Sequence, residues 1–259
     1  MGISNDKETN ICTIIPKARQ GVHECVLGWF RRQLRYEGKI LDAPAGYGHL
    51  SMKLKEMGFD VTCGEINPEI FRVKELKCIY TDLNRKIDAP DNYFDYVCCI
   101  DGLEHMTDPY TATTEFARVL KVGGIGVFSI PNYSNIEKRF AYLIRGYLAK
   151  PKTKKDFEDN DKKLFDIHNS PLTITLLDFI FSINNLEISE ILKEGTKTKQ
   201  YFLLPFAWLL KFIAALTPKK SREKHRTAVT LNNDILLGGN NAIFIVRKNY
   251  SDESRAVAN

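Results

Sequence analysis

The sequence predicts an α/β chain with an open, doubly wound, mostly parallel sheet and helices on both faces. Two observations carry this. Short apolar runs at 39–42, 59–64, 76–80, 94–100 and 125–130 alternate with stretches whose apolar residues recur at helical spacing. Such alternation is the signature of a parallel sheet with right-handed crossovers. The first run also leads into Ile40-Leu41-Asp42-Ala43-Pro44-Ala45-Gly46-Tyr47-Gly48, an acid followed by a glycine turn. That turn falls at the carboxyl end of a strand, where ligands of open α/β sheets bind.

Each element has its own cue. Val22, Val26, Leu27, Phe30 and Leu34 fall at helical spacing and predict a helix over 21–36 that packs before the first strand, with Arg31, Arg32 and Arg35 toward solvent. After the glycine turn, Leu50, Leu54 and Met57 form a second helical stripe, stopped by Gly58. The second strand, 59–64, ends at Glu65, and Asn67-Pro68 opens a short helix. The third strand, 76–80, leads to Asp82, and a polar loop covers 84–93. The run 94–100 reads as a central strand, apolar on both faces. Asp108-Pro109 opens a helix carrying Phe116, Val119 and Leu120, which is expected to end at Gly123-Gly124 before the fifth strand, 125–130. A further helix over 172–183 and strands at 186–192 and 242–246 follow.

Composition narrows the function classes. At 259 residues the chain has room for one large α/β domain with insertions. Hydrophobic content of 44% with 27% charged residues is that of a globular protein, not a disordered one. The formal charge of +5 is too small to argue for nucleic acid, so no nucleic-acid partner is expected. Cys12, Cys25, Cys63, Cys78, Cys98 and Cys99 contain no C-x-x-C pair, which removes the usual zinc and redox motifs. Several lie in expected strands, where a reduced thiol packs as a small apolar group. With no apolar leader visible, the expected location is cytoplasmic.

Two ligands suit the turn at 42–48. A dinucleotide needs G-x-G-x-x-G, and the third position here is Ser51. A pyrophosphate would also be repelled by Asp42. S-adenosylmethionine carries an ammonium and a sulfonium and no phosphate, so an acid suits it. On these residues the chain resembles the class I S-adenosylmethionine-dependent methyltransferases. The likeness extends to Leu103-Glu104-His105 after the fourth strand and to the order helix, Gly123-Gly124, strand, Pro131-Asn132. It covers about residues 20–133 firmly and 165–247 loosely.

The resemblance implies S-adenosyl-L-methionine as cofactor and a seven-stranded Rossmann-like sheet whose last strand is antiparallel, with strands six and seven as an edge hairpin. It implies a cofactor set of Asp42, Ala43, Pro44, Ala45, Gly46 and Gly48 from the turn. Glu65 and Ile66 would meet the ribose, with Asp82, Leu83, Ile100 and Asp101 around the adenine side. His105 and His168 are the candidate catalytic residues, and no metal is expected. His168 through Thr173 enters its helix in a way similar to methyltransferases of surface-glycan and lipid-linked pathways. The expected function is methyl transfer to a hydroxyl or amine of a small-molecule, glycan or lipid-linked acceptor. The alternatives are a non-catalytic binding protein on the same fold and an NAD-dependent oxidoreductase.

The expected organisation is one domain over 1–259, as a monomer or dimer. Its flexible ends are 1–18 and 249–259, and its substrate-side insertions are 134–170 and 196–232. Tyr201 to Leu216 is strongly apolar and is followed by Lys219, Lys220, Arg222, Lys224 and Arg226. With Pro205 and Lys211 inside and only 16 residues, it is short of the roughly 20 that span a bilayer. It reads either as a lid or core element on the substrate side, or as peripheral membrane contact over 201–226.

Overall fold

The computed structural model describes residues 14–15, 20–33, 37–149, 151–159, 168 and 170–250, apart from the side chains of residues 20 and 199. Expectations for most of 1–19, for 34–36, for 160–167 and for 251–259 lie outside the described residues.

Seven strands form one sheet: β1 (Lys39–Asp42), β2 (Asp60–Glu65), β3 (Cys78–Tyr80), β4 (Phe94–Cys99), β5 (Leu120–Pro131), β6 (Leu186–Lys193) and β7 (Asn241–Lys248). Their spatial order is β3-β2-β1-β4-β5-β7-β6. The first five pair in parallel, and β7 runs antiparallel to both β5 and β6. The sheet order reverses between β1 and β4, so a crevice opens at their carboxyl ends.

The two faces follow from the period of two along each strand. Leu41, Val97, Cys99, Phe128, Ile130 and Phe244 point to one face, where Phe116 of α3 (Pro109–Val119) and Leu177 and Phe181 of α6 (Ile174–Ile183) cover them. Ile40, Cys98, Ile100, Val127, Ile243 and Ile245 point to the other, under Val22, Val26 and Phe30 of α1 (Gln20–Arg31) and Leu50 and Leu54 of α2 (His49–Glu56). The helices start where the sequence provides caps. Asp108 accepts from the backbone N–H of Tyr110 and Thr111 ahead of Pro109, and Thr173 accepts from Leu176. The five described cysteines, Cys25, Cys63, Cys78, Cys98 and Cys99, are free thiols.

One boundary differs from expectation. The helix α3 stops at Val119, and β5 begins at Leu120, so Gly123-Gly124 lies inside the strand and not at a helix end. Phe94 pairs with Leu120 while Tyr96 pairs with Ile125, so residues 121–124 bulge from the ladder. Gly123, at φ 79°, supplies the left-handed residue that such a bulge requires.

Strands β6 and β7 do pair at the sheet edge, but residues 194–240 lie between them. That connection folds into α7 (Thr198–Tyr201), α8 (Leu204–Leu216), α9 (Lys219–Lys224), α10 (Thr227–Thr230) and α11 (Asn233–Leu236). The earlier insertion holds α4 (Ile136–Arg145) and α5 (Lys154–Asp159). Ile136, Ala207 and Leu236 join α4, α8 and α11 in a small separate core.

Candidate active site

The carboxyl ends of β1 to β5 surround a cavity of about 720 Å³. Its floor is the glycine turn. Gly46 has φ 55° and Gly48 φ 88°, both left-handed. The Gly46 N–H donates to Glu65 Oε2 at 2.8 Å, and the Ile66 N–H donates to Glu65 Oε1 at 3.0 Å. The acid after β2 is thereby fixed against the turn after β1.

Asp42 ends β1 at 1% exposure. Ser51 of α2 donates its hydroxyl to Asp42 Oδ2 at 2.5 Å. Burial pushes the Asp42 carboxyl up to about 7, and the nearby Glu65 adds to the rise against the Ser51 hydrogen bond. Asp82 accepts from the Asn84 N–H at 3.0 Å and pairs with the exposed Arg85 at 3.2 Å. Asp101, at φ 48°, accepts from the Ser129 hydroxyl at 2.5 Å and the Asn241 amide at 2.7 Å. Burial raises its carboxyl, and these two hydrogen bonds oppose the rise.

A 3₁₀ turn, Leu103–His105, follows β4 and carries Glu104 and His105 to the rim of the cavity. Sixty residues later the chain returns. The Ser170 N–H donates to the Glu104 carbonyl at 3.0 Å, and its hydroxyl donates to the Met106 carbonyl at 2.6 Å. This pins His168 beside His105, with ring centroids 4.6 Å apart and nearly perpendicular. Burial lowers the His168 imidazole, and Lys152 lowers it further. Burial raises the Glu104 carboxyl well above the usual range.

Twelve of the residues expected from sequence line this cavity: Asp42, Pro44, Ala45, Gly46, Glu65, Ile66, Asp82, Leu83, Ile100, Asp101, His105 and His168. Ala43 and Gly48 do not. Ala43 is wholly buried in the core on the α3 side, and its N–H donates to the Cys98 carbonyl. Gly48 turns its back to the cavity, and a Cβ there would lie 2.6 Å from both Phe71 and Val73. Its glycine serves the turn and not a ligand. No residue of 201–216 lines the cavity, so that stretch is not a lid over it.

Two of the lining histidines had no sequence assignment. His23 of α1 and His49 of α2 meet at 3.0 Å through their Nδ1 atoms, so one imidazole donates and the other accepts. Burial, and then His49, lower His23 to about 4. His49 had a signal in its place directly after the glycine turn. His23 had none, because its helix reads as an ordinary core stripe.

The electrostatics choose between ligands. Asp42, Glu65, Asp82, Asp101 and Glu104 line the cavity, against a single lysine, Lys138. A pyrophosphate would meet repulsion from these acids. A ligand with an ammonium, a sulfonium and ribose hydroxyls meets acceptors at every strand end.

A family model described as a methyltransferase domain matches residues 41–128, from β1 through most of β5. The chain is 30% identical over 131 residues to a ubiquinone biosynthesis O-methyltransferase of Alkalilimnicola ehrlichii, which is 46% of this chain and 53% of that protein. The chain spans about half the length of the curated relatives it matches. Two solved structures share the fold. One is a SAM-dependent methyltransferase from Archaeoglobus fulgidus (TM-score 0.50, 18% identity, 87% of this chain and 94% of that one). The other is phosphoethanolamine N-methyltransferase 2 of Haemonchus contortus, in complex with S-adenosyl-L-methionine (TM-score 0.52, 15% identity, 88% and 52%). The glycine turn and the strand-end acids Asp42, Glu65, Asp82 and Asp101 all fall within the stretch that matches the methyltransferase domain, residues 41–128.

Proposed function

We propose that this chain transfers a methyl group from S-adenosylmethionine to an oxygen of an amphiphilic acceptor, a lipid-linked or glycan-type molecule. The observation that carries the reading is the ring of strand-end acids, Asp42, Glu65, Asp82 and Asp101, around a bare glycine turn. Asp42 is placed for the cofactor ammonium, Glu65 for the ribose hydroxyls, and Asp82 for the adenine amino group. The backbone at Gly46 gives the close approach that a Cβ would block. The cofactor, when bound, supplies a sulfonium methyl: an acceptor lone pair forms the O–C bond while the S–C bond breaks with its pair on sulfur.

The chain's own part is orientation, which can supply roughly 7–11 kcal/mol of barrier reduction. Its second part is to manage the acceptor proton. His105 and His168 stand together at the cavity mouth and serve that proton. The name O-methyltransferase, carried by the relatives matched above, supports a hydroxyl as the accepting group.

The reading extends to the whole chain as one domain over 1–259, with substrate-side insertions at 134–170 and 196–232. Among the described residues no helix is long and apolar enough to cross a membrane. Helix α8 instead exposes Phe206, Trp208, Leu209, Phe212 and Leu216, and the cationic α9 follows it. We assign this face to peripheral contact with anionic lipid, which would bring a lipid-linked acceptor to the cavity.

Thermal unfolding with added ligand tests the core of the proposal. S-adenosylhomocysteine is expected to raise the melting temperature by several degrees and NAD to leave it unchanged. Stabilisation by NAD alone would overturn it in favour of the oxidoreductase.

A further inference from the structure

The geometry points to a divalent-cation site formed by Glu104, His105 and His168 at the mouth of the cavity. One ligand atom from each residue can be chosen so that all three lie within 4.8 Å of one another. Around a tetrahedral zinc with bonds of about 2.0–2.1 Å, neighbouring ligand atoms sit about 3.4 Å apart. The three groups therefore need only a small closure. It is available because the His168 side chain is exposed, while Glu104 and His105 lie on one 3₁₀ turn.

The independent observation is the state of Glu104. It is 1% exposed, and neither carboxylate oxygen has a hydrogen-bond partner among the described residues. Buried carboxylates are normally paired, hydrogen-bonded or bound to a metal. The neighbouring Asp101 shows the contrast, since Ser129 and Asn241 both donate to it. Asp101 has donors within the fold, whereas Glu104 has none among the described residues and is left for a ligand. The Ser170 hydrogen bonds to the Glu104 and Met106 carbonyls bring a third donor to it across sixty residues of chain.

The donor set indicates the class of ion. Two imidazoles and one carboxylate suit zinc, iron(II), cobalt or manganese and not calcium, which takes six to eight oxygen ligands. Three protein ligands leave coordination positions open, as in catalytic and not structural sites. All three residues line the cavity, so the open positions face it. An acceptor hydroxyl bound there would lose its proton to solvent more readily and present its oxygen as the nucleophile. With a cation bound, the two histidines act on the acceptor proton as ligands of that cation and not as bases, which departs from the metal-free site expected from the sequence. It rests on the methyltransferase reading of the cavity only for that last, chemical step.

The test uses the whole chain after chelator treatment. Cobalt(II) is titrated in and followed by its visible absorption and by calorimetry, with zinc as competitor. The expected result is one saturable equivalent, displaced by zinc, with affinity reduced at least about tenfold in both Glu104→Gln and His168→Ala. His168→Ala changes an exposed side chain, so it reports even where the buried substitution disturbs folding. The inference is overturned by the absence of saturable cobalt binding, or by His168→Ala binding like the parent. S-adenosylhomocysteine stabilisation is measured on the same samples. Its loss in the parent would strike the methyltransferase reading and leave the cation result standing by itself.

Discussion

Burial holds Asp42 in a state that cofactor binding, on the proposed reading, must change. In an unfolded chain its carboxyl loses its proton near 3.8, and in the folded chain near 7, because burial disfavours the charge. Between those values the folded state holds the extra proton. Stability therefore falls as pH rises from about 4 to about 7 and levels off above. The full effect is at most roughly 4 kcal/mol. His23, lowered to about 4, acts with the opposite slope between about 4 and 6.5. Comparison with Asp42→Asn isolates the carboxyl. That variant is expected to lose the decline between about pH 4 and 7 in thermal unfolding. A cationic group beside Asp42 favours its ionised form, so affinity for S-adenosylhomocysteine should rise from pH 6 to 8 in the parent and stay flat in Asp42→Asn. A flat profile in the parent by calorimetry would show that Asp42 does not face the ligand's charge. Gly48 gives a second prediction. Gly48→Ala places a Cβ against Phe71 and Val73 at a left-handed φ, and should cost about 2 kcal/mol in urea unfolding.

At the same scale, Asp42 and Glu65 are readable from sequence because an acid at the end of an apolar run needs a purpose. His23 is not, since only its meeting with His49 from another helix places it at the cavity.

Among the elements, strands announce themselves better than the segments that connect them. All seven are visible in the sequence as apolar runs, and β1 matches to the residue. The start of β5 is missed because Gly123-Gly124 has two physical uses. A glycine pair ends helices and also opens bulges, and only the pairing with β4 decides between them. The stretch 194–240 hides a different contact. Arg226 reads in the sequence as part of a basic run, yet its guanidinium donates to both oxygens of Asp178 in α6, with Nη2 2.6 Å from Oδ1. Asp178 is 4% exposed, so this pair clamps α10 onto the sheet's helical layer. Arg226→Ala strands a buried carboxylate. The expected cost is about 2 kcal/mol, below the 3–5 kcal/mol of fully buried pairs because Arg226 itself is half exposed. Adding Asp178→Asn should recover part of that loss in a double-mutant cycle of urea unfolding. A cost under about 0.5 kcal/mol for Arg226→Ala would mean that the clamp contributes nothing.

Over the whole molecule, the unusual surface is the one that α4 and α8 present together. Trp208 is 68% exposed, Phe212 62% and Leu216 71%, with Leu143 and Ile144 exposed on α4. Exposed apolar surface of this density marks an interaction site. The apolar stretch and the cations Lys220, Arg222 and Lys224 that follow it are complementary to an anionic bilayer surface. The chain has two tryptophans, and they report on different places. Trp29 is 6% exposed and donates to Glu190 at 2.9 Å, so its environment stays constant while the fold holds. A blue shift of tryptophan emission on mixing with phosphatidylglycerol vesicles would therefore belong to Trp208 entering an apolar phase. The shift is expected at low salt and should weaken at high salt, because the cations are exposed and screened. Burying an aromatic side chain contributes roughly 2 kcal/mol, so Trp208→Ser with Phe212→Ser should reduce vesicle co-sedimentation by more than tenfold. Unchanged emission and no sedimentation, even at low salt, would return this face to a protein partner. The acceptor would then have to reach the cavity from solution.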